Sequence, residues 1–425
     1  MARKRLTVVM VLLLIMAALG CTRSESDNSK EQTIDVWGSW KDQEGAAFKT
    51  VLDQFERDRK NIKVRYTPMD EDMGLALEKS IKAGNAPDVA ILPQPGTMRY
   101  LADRKELHPI QDILGDALKS NYDEFWQGMG RIGSNTYGVW FRQSHKSIIW
   151  YRPEAYKGTP LPQNWEELKL ASQKLLEAGV TPIALGGRDA WTITDWFENV
   201  YLRTAGAERY DRLACGQIAW TDNTVTTALV RMTEVLGQPA FVSNGPGAVS
   251  VAFDASVDEV FGPRARAAML HGADYVGGFI RDRVKANPQF IPFPAIDDSG
   301  PDNVVVGGDV GVLLKDSPGG RDFIRYLATP RAAEPWVAKG GFLSPNRNVI
   351  FAQYTDPVSR QLAQEIRDAG VRTFDLSDLL PPAFGSTGGR GIFQEFQDFL
   401  VDPSNVKQTA EQLERVALVA GARCG

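Results

Sequence analysis

Histidine and cysteine are scarce in this chain of 425 residues, with three of each. The histidines, His108, His145 and His271, are far apart and share no short spacing of the kind that binds a metal ion. No run rich in lysine and arginine occurs in the body of the chain, and 53 acidic residues outnumber 48 basic ones. These shortages exclude a histidine-rich metal centre and argue against a nucleic-acid partner.

Motifs of the common enzyme classes are also absent. The chain has no Walker loop, no glycine-rich dinucleotide fingerprint before a helix, no His-Glu-x-x-His and no Gly-x-Ser-x-Gly. Asp195 and Glu198 are three residues apart, so on one helix they point the same way and do not flank a glycosidic bond. We therefore expect a protein that is not an enzyme and that uses no metal or cofactor.

The apolar run at residues 6–19 is shorter than the roughly 20 residues that span a bilayer. It follows the basic start Arg3-Lys4-Arg5 and ends at Ala18-Leu19-Gly20-Cys21, which resembles a bacterial lipoprotein processing box. We predict a signal peptide at residues 1–20, a lipid on Cys21 and a flexible polar tether at residues 21–32. The protein is then extracytoplasmic and anchored to the cell membrane; the alternative is a secreted protein cut near the same place.

Apart from the lipidated Cys21, the processed chain has two cysteines, Cys215 and Cys424. Outside the membrane they can form one disulfide bond, and the alternative is two free thiols.

The body of the chain has an ordinary soluble composition, with 43% hydrophobic and 24% charged residues. Its length predicts two or three domains, or one two-lobed body. Strand patterns at residues 33–37, 62–66 and 88–92 alternate with helical patterns, which predicts a parallel sheet with helices on its faces. Ligands bind at the carboxyl ends of such strands, so the loops at residues 38–42 and 93–96 are candidate ligand loops.

Short motifs occur along the chain in a specific order. They include Trp37-Gly-Ser-Trp40, Ala86-Pro87-Asp88-Val89, Lys146-Ser-Ile-Ile-Trp-Tyr151, Thr181-Pro-Ile-Ala-Leu-Gly-Gly187, Gly307-Gly308-Asp309, Gly340-Gly341-Phe342 and Phe374-Asp-Leu-Ser-Asp378. Together they resemble the extracellular solute-binding lipoproteins of carbohydrate ABC transporters, the maltodextrin-binding-like family. The segment from Thr181 to Asn199 is similar to the alpha-glucoside-type branch, and the resemblance extends over about residues 33–400.

The resemblance implies a two-lobed α/β fold of the periplasmic-binding-protein kind, in which each lobe is a mostly parallel sheet flanked by helices. It implies a first lobe of residues 33–141 with 301–345, and a second lobe of residues 146–300 with 346–425. The chain would pass between the lobes at hinge crossovers near residues 141–146, 290–305 and 345.

The function implied is the capture of a sugar, an oligosaccharide or a glucoside, between the lobes and its delivery to the membrane-spanning permease of an ABC transporter. We expect a monomer that closes by a hinge. One alternative is a binding protein for a glycerol phosphodiester, for which Arg142, Arg188 and Arg372 are candidate ligands. Another is a secreted carbohydrate-acting enzyme, which would need two opposed carboxylates.

Aromatic side chains are the main candidates for ligand contacts, because sugars stack their apolar faces on flat rings. Trp191 follows a strand and a Gly-Gly turn, where the family usually has a stacking aromatic, and Tyr275 occupies a similar position; the alternative for Trp191 is a core residue. Trp37 and Trp40 point to opposite faces by alternation, and we favour Trp40 as the one facing the ligand.

Polar candidates lie in or beside turns that follow strand patterns, where the alternative is a turn-capping or solvated residue. They are Gln94, Asp274, Asp309 and Arg372. Further candidates are Glu44, which could instead serve a helix dipole, and Asp195, which could instead hold the Trp191 loop. The resemblance adds Trp140, Gly308 and Gly341.

Overall fold

The computed structural model describes residues 31–69, 73–284, 288–297 and 303–421. The predicted signal peptide, Cys21, nearly all of the tether and Cys424 lie outside these residues. Cys215 is disulfide-bonded. Within the described ranges, no helix is both long and apolar enough to cross a membrane.

The strands are β1 Gln32–Gly38, β2 Ile62–Pro68, β3 Val89–Leu92, β4 Arg131–Ile132, β5 Asn135–Thr136, β6 Gly138–His145, β7 Ile148–Tyr151, β8 Thr181–Ile183, β9 Ala267–His271, β10 Gln289–Pro292, β11 Asn303–Leu313 and β12 Val371–Phe374. The helices are α1 Asp42–Asp58, α2 Met73–Lys82, α3 Pro95–Asp103, α4 Gln111–Leu114, α5 Ala117–Asn121, α6 Glu124–Met129, α7 Trp165–Glu177, α8 Trp191–Ala205, α9 Ala207–Ala214, α10 Asn223–Thr233, α11 Phe253–Phe261, α12 Val276–Val284, α13 Pro318–Leu327, α14 Pro330–Val337, α15 Pro357–Asp368, α16 Leu376–Leu379, α17 Pro382–Gly385, α18 Gly391–Val401 and α19 Val406–Ala420. Single 3-10 turns lie at Pro153–Tyr156, Gly187–Asp189, Gly245–Ser250 and Phe351–Gln353.

The first lobe is built on a six-stranded sheet in the order β12-β11-β3-β1-β2, with β6 also paired to β11. β1 is parallel to both β2 and β3, as the strand-helix alternation predicts. Ile34 and Val36 are buried on alternate positions of β1, and every residue of β3 is buried, so this sheet is the core of the lobe. The long strand β11 runs antiparallel to β3 and β6.

The second lobe is built on a four-stranded sheet in the order β10-β7-β9-β8. Only β8 and β9 are parallel, whereas β7 is antiparallel to both of its neighbours. The prediction of a mostly parallel sheet is therefore wrong for this lobe. The physical reason is the position of these strands in the chain. β7 directly follows the first passage into the second lobe and β10 directly precedes the second passage out of it, so the two strands run in opposite directions.

The chain passes between the two sheets three times. The first passage, at Lys146 and Ser147, joins β6 to β7, and the second lies between β10 and β11, where residues 298–302 are outside the described ranges. The third follows β12, which is hydrogen-bonded in parallel to β11 of the first sheet. The crossover predicted near residue 345 is followed by residues that include β12, and β12 is part of the first sheet.

Helix α15 packs beside the same sheet, and its buried residues include Val358, Leu362 and Ile366. The helix contacts strand β6, which belongs to the first sheet.

Candidate functional site

A cavity of about 310 Å3 lies between the two lobes. The first lobe and the first passage contribute Ser39, Trp40, Glu44, Pro93, Gln94, Arg142, Ser144, Lys146, Gly308 and Asp309. The second lobe and the segment after β12 contribute Trp191, Phe253, Tyr275, Phe279, Ser377, Asp378, Ser386 and Phe393. Both predicted ligand loops reach the cavity, because the carboxyl ends of β1 and β3 are neighbours in the sheet.

Seven of the predicted site residues line this cavity: Trp40, Glu44, Gln94, Trp191, Tyr275, Gly308 and Asp309. Five predicted residues do not line it: Trp140, Asp195, Asp274, Gly341 and Arg372.

Four half-buried rings form an aromatic wall on the second-lobe side, defined as Trp191, Phe253, Tyr275 and Phe279. The ring centroids of Trp191 and Phe253 are 4.9 Å apart, and those of Trp191 and Tyr275 are 6.3 Å apart. Phe279 continues the wall at 5.7 Å from Phe253. A continuous, partly exposed aromatic surface of this kind offers flat apolar area to a ligand in the cavity.

The backbone before Trp191 sets the direction of its side chain. Ala190 has a φ of +60°, which is unfavourable for an L-residue, and Trp191 is the first residue of α8. The Thr192 hydroxyl donates to the Gly186 carbonyl at 2.8 Å and thereby ties the helix start to the turn. Strain at such a position is maintained by the surrounding structure and is typical of functional sites.

Trp40 has a different environment from the one we predict. Its side chain is 2% exposed and packs with Phe48 at 4.6 Å and Trp336 at 4.9 Å between ring centroids. Trp40 therefore belongs mainly to the core of the first lobe, and only a small part of the residue reaches the cavity. Its neighbour Trp37 is half-buried.

The floor of the cavity carries an ion pair between Arg142 and Glu44, with 2.7 Å between Nη1 and Oε1. Burial disfavours the charge on Arg142, but the carboxylates of Glu44, Asp274 and Asp309 raise its pKa above the ordinary value. The guanidinium also lies 5.6 Å from the centre of the Tyr275 ring. Burial raises the pKa of Asp309 to about 7, with Arg142 opposing the shift and Glu44 adding to it.

A second ionic group surrounds Lys146, whose ammonium donates to Asp195 at 3.2 Å and to Asp375. Lys146 lies in the first passage, Asp195 on α8 and Asp375 just after β12, so this group ties two passages to the second lobe. Burial raises the pKa of Asp195 to about 7 in spite of Lys146. Burial also opposes ionisation of Asp375, but Lys146 holds the pKa of that carboxyl below its usual value.

Asp195, Glu198 and Asp375 offer carboxylate oxygens within 4.8 Å of one another, which is the spacing of a metal site. The ammonium of Lys146 is hydrogen-bonded to two of the three, so a cationic group already occupies this position. Glu198 accepts hydrogen bonds from the Tyr210 hydroxyl and from two backbone N–H groups at the start of α16. The cluster therefore acts as a buried support beneath the cavity.

Trp140 and Arg372 lie away from the cavity, contrary to our prediction. Trp140 is a core residue whose ring packs against Phe374 at 5.1 Å. Arg372 pairs with Asp123 at 2.8 Å and lies over the Phe125 ring. Alternation along β12 turns Arg372 to the side of the sheet that faces α6.

Asp274 and Gly341 lie close to the cavity without lining it. Asp274 is buried and accepts a hydrogen bond from the His145 backbone N–H at 2.9 Å. Gly341 lines an adjoining outer cavity of about 540 Å3. The two cavities share Ser39, Glu44, Tyr275 and Phe279, so they form one continuous cleft.

Several lining residues were not among those predicted from the sequence. Lys146 and Asp378 lie within the motifs at residues 146–151 and 374–378. A charged side chain within such a motif is the signal that could have identified them. Phe253 and Phe279 gave no local signal, because neither follows a strand and tertiary packing alone brings them beside Trp191.

A family model described as bacterial extracellular solute-binding protein matches residues 39–334. The chain is 31% identical to the alpha-glucosides-binding periplasmic protein AglE of Rhizobium meliloti, over 90% of this chain and 86% of the relative. It is 28% identical to the osmoprotective compounds-binding protein GgtB of Synechocystis sp., over 90% of this chain and 92% of the relative.

Solved structures agree with this at the level of the fold. The bacterial solute receptor AcbH superposes with a TM-score of 0.81 at 17% identity, covering 92% of this chain and 99% of the receptor. A chitin oligosaccharide binding protein superposes with a TM-score of 0.79 at 19% identity, with the same coverage of both chains. The two-lobed α/β fold, the cleft between the lobes and the family match together show that this chain belongs to the bacterial extracellular solute-binding proteins.

Proposed function

We propose that the protein captures a carbohydrate in the cleft between its lobes and delivers it to the permease of an ABC transporter, with α-glucosides as the ligand class. The observation that carries the proposal is the aromatic wall, which faces the polar side chains of the first lobe across the cavity. The names of the relatives AglE and GgtB, which refer to alpha-glucosides and to osmoprotective compounds, support it.

A sugar presents two kinds of surface to a binding protein. Its C–H faces need flat apolar partners, and each aromatic ring buries roughly 150–250 Å2, which at about 25 cal/mol per Å2 of apolar area amounts to a few kcal/mol. Its hydroxyl rim needs acceptors and donors, for which Gln94, Asp309 and Asp378 line the cavity.

A phosphodiester ligand is less compatible with these charges. Arg142 and Lys146, two cations that line the inner cavity, are both already paired, Arg142 with Glu44 and Lys146 with Asp195 and Asp375. Of the other two candidate arginines, Arg188 is paired with Asp189 at the surface and Arg372 lies elsewhere. The lining therefore favours a neutral polyol over an anion.

We further propose that the mature protein starts at a lipidated Cys21, is held at the outer face of the cell membrane, works as a monomer and catalyses no reaction. Asp195 and Glu198 are held in the buried cluster around Lys146, so this acidic pair is not free to flank a glycosidic bond.

Titration calorimetry tests the proposal. The protein without its signal peptide is titrated with maltose, sucrose, trehalose, longer oligosaccharides and a glycerol phosphodiester. We expect saturable binding of at least one α-glucoside and no binding of the phosphodiester. Preference for the phosphodiester would contradict the ligand class, and release of free sugar on long incubation would contradict the claim that the protein is not an enzyme.

A further inference from the structure

One ion pair at the edge of the cleft joins the two lobes directly. Arg281 lies on α12 of the second lobe, and Asp356 precedes α15, which packs on the first lobe. Nη1 of Arg281 donates to Oδ2 of Asp356 at 2.9 Å. The side chains are 28% and 9% exposed, so the pair is partly shielded from water and from salt.

Hydrogen bonds within its own helix fix the carboxylate of Asp356 independently of Arg281. Asp356 is the N-cap of α15, and its carboxylate accepts from the backbone N–H groups of Val358 and Ser359 at 3.3 and 3.1 Å and also from the Ser359 hydroxyl. Many exposed ion pairs contribute little because both side chains lose freedom on pairing. Here one partner is already fixed, so closing the pair orders only Arg281.

Hydrogen bonds connect this pair to the floor of the cavity. The Gly341 N–H donates to the Ser359 hydroxyl oxygen at 3.0 Å, and the Gly341 carbonyl accepts from Nη2 of Arg142 at 3.3 Å. Arg142 in turn pairs with Glu44. The chain of contacts thus runs from Asp356 through Ser359 and Gly341 to two residues that line the inner cavity.

The backbone conformation of the turn at Gly340 and Gly341 favours glycine at both positions. Gly340 and Gly341 have φ values of +83° and +71°, where L side chains are strained. A Cβ at Gly341 would also lie 3.4 Å from Nη2 of Arg281. That distance is ordinary van der Waals contact, so the positive φ values are what favour glycine here, and the turn lies directly beside the Arg281 guanidinium.

We propose that Arg281 and Asp356 form a latch that holds the lobes together over the cleft, and that Arg281 is a positioning residue for ligand retention. Closure depends on the free-energy difference between the open and closed forms, and a contact made only in the closed form shifts that difference directly. The hydrogen bonds through Ser359 and Gly341 connect the latch to Arg142, which lines the inner cavity where the ligand would bind. The effect on ligand retention rests on the function proposed above, whereas the effect on closure does not.

The variants are Arg281→Met, which keeps most of the apolar stem, Asp356→Asn, which keeps a helix-capping side chain, and the double variant. The control is Arg331→Met, which removes an ion pair with Asp58 that lies within the first lobe, at 2.7 Å. Small-angle X-ray scattering gives the radius of gyration of the ligand-free protein, and stopped-flow fluorescence gives the dissociation rate of whichever of maltose, sucrose or trehalose binds.

We expect both single variants to have a larger radius of gyration, or to release the glucoside at least about fivefold faster, with little change in association rate. The double variant should add nothing to either single variant, because the two substitutions break the same contact. The control should match the wild type in both measurements.

An unchanged radius of gyration together with an unchanged dissociation rate in both latch variants would overturn the proposal, as would an equal effect in the control. If the wild type binds none of the glucosides, the proposed function fails while the scattering measurement still decides whether the latch exists.

Discussion

Trp191 provides the sharpest test of the site, because its replacement separates a ligand platform from a core residue. The side chain is half-buried, contacts Phe253 and Tyr275 on one side, and borders the cavity on the other. Trp191→Ala should cost roughly 2–4 kcal/mol of binding, from lost apolar burial and lost stacking. At about 1.4 kcal/mol per factor of ten, the dissociation constant should rise about thirtyfold to a thousandfold.

The matched control is Trp196→Ala, one turn and a half further along the same helix. Trp196 is 1% exposed and packs against Phe293 and His271, so its removal leaves a cavity in the core. It should lower the free energy of unfolding by about 3–5 kcal/mol and the melting temperature by several degrees. Binding by the folded fraction should be nearly normal.

Calorimetry and thermal denaturation are therefore measured on both variants. The proposed role of Trp191 is refuted if Trp191→Ala melts at a much lower temperature than the wild type yet binds the glucoside normally when folded. That result would make Trp191 a core residue and would place the ligand elsewhere in the cleft.

Three further predictions concern the charged groups and the anchor. Because burial raises the pKa of Asp309 to about 7, the folded carboxyl keeps its proton while the unfolded one loses it; stability is then lost as pH rises from about 4 to 7. Asp309→Asn should therefore raise the melting temperature at pH 8 and leave it nearly unchanged at pH 4, and a gain of the same size at both pH values would contradict this. Lys146→Met leaves Asp195 and Asp375 buried without their cation, so urea denaturation should show that the free energy of unfolding falls by about 3–5 kcal/mol. A variant as stable as the wild type would contradict this and would show that both carboxyl groups are neutral in the folded protein. Cys21→Ala should release the protein from membranes of its native host, as measured by fractionation, and unchanged membrane association would argue against the lipid anchor.

Local patterns predicted the first half of the first sheet well. Residues of β1 from Ile34 on alternate between buried and partly buried, β3 is buried throughout, and the helix between β1 and β2 has its apolar residues at spacings of three and four. Asn164 is the N-cap of α7, since its side chain accepts from the Glu167 N–H at 3.0 Å. Such features depend on neighbours within a few residues, so one sequence contains the information they need.

Some of the candidate site residues line the cavity and others do not. Gln94 follows β3 and reaches the cavity, as do Gly308 and Asp309 within β11. Trp40 could not be assigned in this way. Alternation places Trp37 and Trp40 on opposite sides of the chain, but it does not tell which side faces the core and which faces the cleft. The packing of Phe48 and Trp336 against Trp40 decides that question.

The sequence by itself determined the order of the first three strands and of the helices between them, the absence of the common catalytic motifs and the position of the loops that follow β1 and β3. Only the tertiary structure decided that the third passage follows β12, that the second sheet is largely antiparallel, and that Phe253 and Phe279 extend the wall begun by Trp191. The reason is physical: strand pairing and the meeting of lobes join residues more than 50 positions apart, such as Arg281 and Asp356, and no local periodicity records such contacts.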